Sequence, residues 1–199
     1  MWRTIANERV ALSQLLSGID DAAWQRPSLC GGWTVHHVVA HLVVLAEAPS
    51  RWRFLLRGAR VDPRPNKSVD KMARRLADDA SPGELVTRLA AAKDGRFVLP
   101  TMPPDVALGE VLVHRADMSE AAGLPAHPAD DALRTVLEAE LKLWFAFGVA
   151  RSMRKHRFEA TDADWSVGPA GAPVVRAPGE ELLRIVTGRR PLAENTSTS

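Results

Sequence analysis

The sequence predicts a mainly α chain, with a helical bundle over about the first 150 residues and a small β–β–α unit after it. Three observations predict it. Apolar residues recur at helical spacing through most of the chain, helix start and stop signals bracket those stretches, and after Phe158 the pattern changes to short β-compatible runs separated by Pro and Gly.

Residues 2–18 carry Ile5, Val10, Leu12, Leu15 and Leu16 at roughly helical spacing, closed by Gly18. The turn-rich stretch "DDAAWQRPSLCGGW" leads to Thr34, a suitable N-cap for a helix carrying His36, His37 and His41. Pro49 bends or ends that helix, and "SRWRFLLRG" resumes it to Gly58. "VDPRPNKS" reads as a loop, and a polar helix follows to about Asp79. Ser81 as N-cap, Pro82 at the first helical position and Glu84 three residues after the cap make a capping box for the next helix. After "VLPTMPP" comes the helix of Glu110 and His114, which ends near Gly123. Residues 129–152 read as one more helix, with Leu133, Leu137, Leu141, Trp144 and Phe145 on its core face. "RFEATDADWSVG" and "APVVRAP" are the β runs, and "PGEELLRIVTG" is a brief helix ending at Gly188. The expected division is a bundle over 1–152, a small α+β domain over 153–192 and a disordered tail over 193–199.

Composition narrows the function. The 26 basic and 24 acidic residues leave a net charge of only +2, and no basic stripe suggests nucleic-acid binding. The run "RSMRKHR" reads as a solvated connector. Cys30 is the single cysteine, which excludes an intramolecular disulfide and a cysteine-rich zinc module. The first helix lacks the features of a signal peptide and no apolar run reaches spanning length, so a soluble cytoplasmic protein with no membrane partner is expected.

Within "EVLVHRAD", Glu110, His114 and Asp117 stand on one helical stripe at i, i+4 and i+7. Glu110 and His114 can reach one cation, although that spacing also suits a surface hydrogen bond. A third ligand must come from elsewhere. His41 faces the core among Val38, Leu42 and Leu45, whereas His37 forms a rival HxxxH pair with it in "HHVVAH". His36 shares the opposite face with Glu47 and is expected in solvent; His127 reads as a loop residue and His156 as part of the basic connector. Two histidines and one glutamate from two helices would leave an open coordination position of the kind used in catalysis. Asp117 either orients His114 through its other ring nitrogen or pairs with Arg115 or Lys142 on the surface. Cys30 could ligate the same metal, but beside Leu29 and Trp33 it reads as a small buried apolar residue. Trp24, Trp33 and Trp144 read as core anchors.

Three stretches in order, "SLCGGWTVHHVVAHL", "LGEVLVHRADMSEAAGLP" and "TDADWSVG…VRAPGEELLRIVTGRRP", resemble the mycothiol-dependent maleylpyruvate isomerase family of the wider DinB-like metal-binding superfamily. The resemblance covers most of the chain. It implies a DinB-like four-helix bundle whose divalent metal, usually zinc, is held by His41, Glu110 and His114, with His37 a neighbour of the site and Asp117 a support. It also implies mycothiol as thiol cosubstrate, used either for cis-trans isomerisation of a small electrophile or for S-transfer to it. Arg189, in "TGRRP", matches a family arginine associated with activity and is expected to bind a substrate carboxylate or enolate, with Arg190 adjacent. Its alternative is a helix-end cation on terminal carbonyls. The expected partner is a small molecule, not a nucleic acid, and the chain is expected to be a monomer or homodimer. The rival reading keeps the bundle as a non-catalytic metal-binding or small-ligand-binding protein.

Overall fold

The computed structural model describes residues 1–99 and 102–192. The chain divides into two compact units, Met1–Leu124 and Pro125–Ser199. The tail expected at 193–199 lies outside the described residues, as do two residues of the "VLPTMPP" connection.

The first unit is helical. Its helices are α1 (Trp2–Leu16), α2 (Val35–Ala46), α3 (Arg51–Val61), α4 (Pro65–Asp79), α5 (Pro82–Ala91) and α6 (Asp105–Ala122), with a 3-10 turn at Asp21–Gln25. A helix that is apolar around its whole circumference must be buried on all sides. The α2 helix meets that condition, with Val35, Val38, Val39, Leu42, Val43 and Ala46 all buried, and it packs against α4, α5 and α6. The α6 helix is buried in the same way through Leu108, Val111, Leu112 and Met118, and α1 contacts both α5 and α6.

Local chemistry sets most of the helix ends. Pro49 falls between α2 and α3, and Pro65 opens α4 at its first position, inside the stretch expected to be loop. The Ser81 box is formed: Ser81 N–H donates to Glu84 Oε2 at 2.7 Å, and Glu84 N–H donates to Ser81 Oγ at 3.4 Å. At Thr34 a histidine takes the role of the glutamate, because Thr34 N–H donates to His37 Nδ1 at 3.3 Å. Gly95 permits a close approach after α5, since a Cβ there would lie 1.9 Å from the Ala46 carbonyl oxygen.

The second unit contains α7 (Asp131–Lys142), α8 (Trp144–Phe147), a 3-10 turn (Arg151–Lys155), β1 (Arg157–Ala160), β2 (Ser166–Val167), β3 (Val174–Ala177) and α9 (Gly179–Val186). The single helix expected over 129–152 is broken. Leu143 leaves helical geometry and Gly148 adopts a left-handed φ of 71°, so Phe145 is 66% exposed and Trp144 is half-buried instead of both joining a core face. The first β run folds back on itself: β1 pairs antiparallel with β2 and parallel with β3, in the order β2-β1-β3. The α7 helix packs on α9 and β2, which places it in this unit and puts the division earlier than the boundary expected at 152. Gly179 lets α9 approach α7, because a Cβ there would lie 2.8 Å from both Ala129 Cβ and Leu133 Cδ2.

Because the Ser81 side chain accepts from the Glu84 N–H at the start of α5, Ser81→Ala is expected to lower the unfolding free energy by about 1 kcal/mol. Urea denaturation followed by circular dichroism checks it; an unchanged midpoint would show that water replaces the cap without loss.

Candidate functional site

His41 and the stripe of α6 meet because α2 packs on α6. His41 Nε2 lies 3.1 Å from Glu110 Oε2, and His114 Nε2 lies 3.4 Å from the same oxygen. The donor atoms of these three residues all lie within 4.8 Å of one another, and the two imidazoles meet edge to face with centroids 4.7 Å apart. His37 has no part in the cluster, since its Nδ1 is engaged at Thr34. His36 is half-buried, with Nε2 3.0 Å from the Ala80 carbonyl and its ring edge-on to Trp24, which replaces the solvent position expected for it.

Asp117 is 2% exposed and its Oδ2 lies 2.9 Å from His114 Nδ1. That contact holds a proton on Nδ1 and turns Nε2 towards Glu110. Cys30 donates its thiol hydrogen to the same Asp117 oxygen at 3.0 Å, and its Sγ is 3.6 Å from His114 Nδ1. The loop over 28–33 is pinned to α6 by Leu29 N–H donating to the Asp117 carbonyl at 2.8 Å. Cys30 is therefore a partner of the site and not an apolar filler. Trp33 also departs from the core-anchor role expected for it: its ring stands 5.2 Å from that of His41, and Nε1 donates to Asp70 Oδ1 at 2.7 Å.

Hydrogen bonding and charge favour the imidazolium form of His114, with a proton on each ring nitrogen. Burial works to lower the His114 pKa, but hydrogen bonding with Asp117, Cys30 and Glu110 outweighs it and raises the imidazole well above its ordinary value. Burial works to raise the Glu110 pKa, and contacts with His114 and His41 hold it well below the usual carboxylate range. At His41 burial dominates and lowers the pKa, and its Nδ1 is buried with no hydrogen-bond partner among the described residues.

A cavity of about 450 Å³ opens on the cluster. Leu42, Phe54, Phe97 and Val111 give it apolar walls, and Arg9, Cys30, Trp33 and Asp70 add polar groups. Two imidazole nitrogens and one carboxylate oxygen on an apolar-walled cavity suit a first-row divalent ion with a position left for a ligand. Arg9 is a charged lining residue that is absent from the sequence-based candidates; its signal is a charge on the stripe of Ile5, Leu12 and Leu16.

Residues 5–119 match the family model described as the mycothiol maleylpyruvate isomerase N-terminal domain. The chain belongs to that family. The matched span contains His41, Glu110, His114 and Asp117 and ends before Arg189. Two solved structures share the fold of this family member. One is the mycothiol-dependent maleylpyruvate isomerase and the other is a histidine-to-alanine mutant of it; each is 19% identical, with a TM-score of 0.54 over 94% of this chain and 88% of that chain. The search of curated proteins returned no significant match.

Arg189 belongs to the second unit, where Nη1 donates to the Thr187 carbonyl at 3.1 Å. This is the contact that the helix-end alternative anticipates. His127 is buried, its backbone N–H donating to Glu180, and His156 Nδ1 lies 3.1 Å from the Ser152 carbonyl.

The raised His114 pKa has a measurable consequence in protein stripped of metal. A folded-state pKa above the unfolded value contributes stability that is fully present below about pH 6.5 and is lost as pH rises through the folded value. The thermal-stability gap between wild type and His114→Gln is therefore expected to be wider near pH 5 than near pH 9. A gap that is constant with pH would show that the imidazole carries no extra proton.

Proposed function

We propose that the chain is a metal-dependent enzyme that activates mycothiol for addition to a small electrophile, either to isomerise a cis double bond or to transfer the thiol. The observation that carries this is the convergence of His41 Nε2, Glu110 Oε2 and His114 Nε2 within 4.8 Å on one apolar-walled cavity. Family membership supports the thiol.

In this reading His41, Glu110 and His114 hold the ion, zinc being well suited to two imidazoles and a carboxylate. When bound, the metal supplies Lewis acidity that lowers the pKa of a thiol and makes a thiolate available at neutral pH. Asp117 keeps the His114 proton on Nδ1, so that Nε2 offers a lone pair. The apolar walls exclude water and strengthen the electrostatics of the site. In an isomerisation, thiolate sulfur bonds to the conjugated carbon and the alkene electron pair moves onto the substrate oxygen as an enolate. The resulting single bond rotates, the pair returns and the thiolate leaves. In a transfer, the carbon–sulfur bond remains and the neighbouring carbon takes a proton. Arg189 enters the proposal as a binder of the substrate carboxylate or enolate, its planar donors suiting two-point contact.

No helix among the described residues is long and apolar enough to cross a membrane, and a cytoplasmic enzyme acting on a small molecule fits the reading. The rival, a binding protein without a reaction, draws on Arg189 Nη1 donating to the Thr187 carbonyl, which suits a helix-end cation.

Elemental analysis of protein purified without chelators is expected to find about one metal per chain, lost in His41→Ala and Glu110→Ala. Mycothiol-dependent turnover of electrophiles should disappear with it. Full metal occupancy and turnover in His41→Ala would overturn the ligand set, and metal without turnover would favour the binding protein. Arg189→Gln is expected to cut turnover with metal content unchanged; undiminished turnover would remove Arg189 from the site.

A further inference from the structure

Arg9 carries a charge inward from α1. Ile5 lies one turn before it and Leu12 and Leu16 follow, so the stripe that enters the core carries the guanidinium with it, leaving Arg9 4% exposed. Nη1 donates to three carbonyls just past α5: Gly95 at 2.7 Å, Lys93 at 3.1 Å and Ala92 at 3.4 Å. The end of a helix is where a cation is favoured, so this anchoring explains the position of the side chain. It does not explain the other edge. Nε and Nη2 have no hydrogen-bond acceptor among the described residues, and Arg9 lines the cavity of His41, Glu110 and His114.

A guanidinium remains charged when buried, and donors withdrawn from water cost free energy unless an acceptor meets them. Asp94 acts on Arg9 electrostatically, but its carboxylate is engaged 2.7 Å from Lys93 Nζ. Nε and Nη2 together form the edge of the planar fork that takes a carboxylate at two points. A lysine anchored on the same carbonyls would have no such second edge.

We propose that Arg9 is an anion-binding residue of this cavity, holding the carboxylate of a small acid with an apolar body through Nε and Nη2. Leu42, Phe54, Phe97 and Val111 supply the surface for that body. The assignment rests on the proposed function in taking the cavity as the substrate site, but the binding itself needs no metal. It places an anion site in the helical unit, independent of Arg189.

The test uses cinnamate and its neutral analogue cinnamamide, titrated by calorimetry into full-length protein stripped of metal. A two-point charged contact is expected to make wild type bind cinnamate roughly tenfold or more tightly than cinnamamide. Arg9→Gln, with thermal unfolding near that of wild type, is expected to bind the two within about threefold. Equal affinities in wild type, no binding of cinnamate, or a preference that survives Arg9→Gln would each overturn the assignment. Where loss of the carbonyl anchor unfolds Arg9→Gln, Arg9→Lys carries the test: its preference is expected to fall by about threefold or more, and an undiminished one overturns the proposal. Metal content and thiol-dependent turnover are measured separately, so failure of the enzyme reading leaves this result to stand or fall by itself.

Discussion

The contact between Asp117 Oδ2 and His114 Nδ1 is the one on which the site depends. It connects three levels of the structure. Along α6 it is an i, i+3 pair, which the helix supplies without long-range help. Across the fold, the Asp117 backbone carbonyl and side chain receive Leu29 and Cys30 from the loop before α2, so the same residue that orients the imidazole also seats that loop. At the level of chemistry it decides which His114 nitrogen faces Glu110 and His41, and hence whether the three donor atoms can act together.

A partly buried carboxylate facing two imidazoles carries a desolvation cost unless the charges are compensated. The cavity combines that cluster with apolar walls and one buried guanidinium, all in the helical unit. Low polarity strengthens each charge interaction and penalises each unspent donor. In the proposed reading, the ligand brings a soft or basic group for the cluster, an apolar body for the walls and an acceptor for Arg9. Those three demands select more narrowly than pocket size would.

Much of the bundle was legible locally. The Ser81 box and Gly123 after α6 act through their own turns, so their effects do not depend on what packs against them. The helix over 129–152 was misread because the apolar spacing continues through Trp144 and Phe145, while Gly148 and the geometry at Leu143 turn the chain away. The β runs were recognised, but the fold-back between β1 and β2 depends on pairing between segments rather than on composition.

The sequence by itself determined that Glu110, His114 and Asp117 share a stripe, because helical periodicity alone aligns them. It also offered His37 and His41 as competing partners. Spacing left that choice open and the family resemblance pointed to His41; packing supplies the physical reason, because His41 on α2 meets Glu110 on α6 while the Thr34 cap engages His37. Tertiary structure likewise brought Trp33, Cys30 and Arg9 to the cavity. No spacing rule could have done so, because their neighbours lie far along the chain and the contacts exist only once the helices have packed.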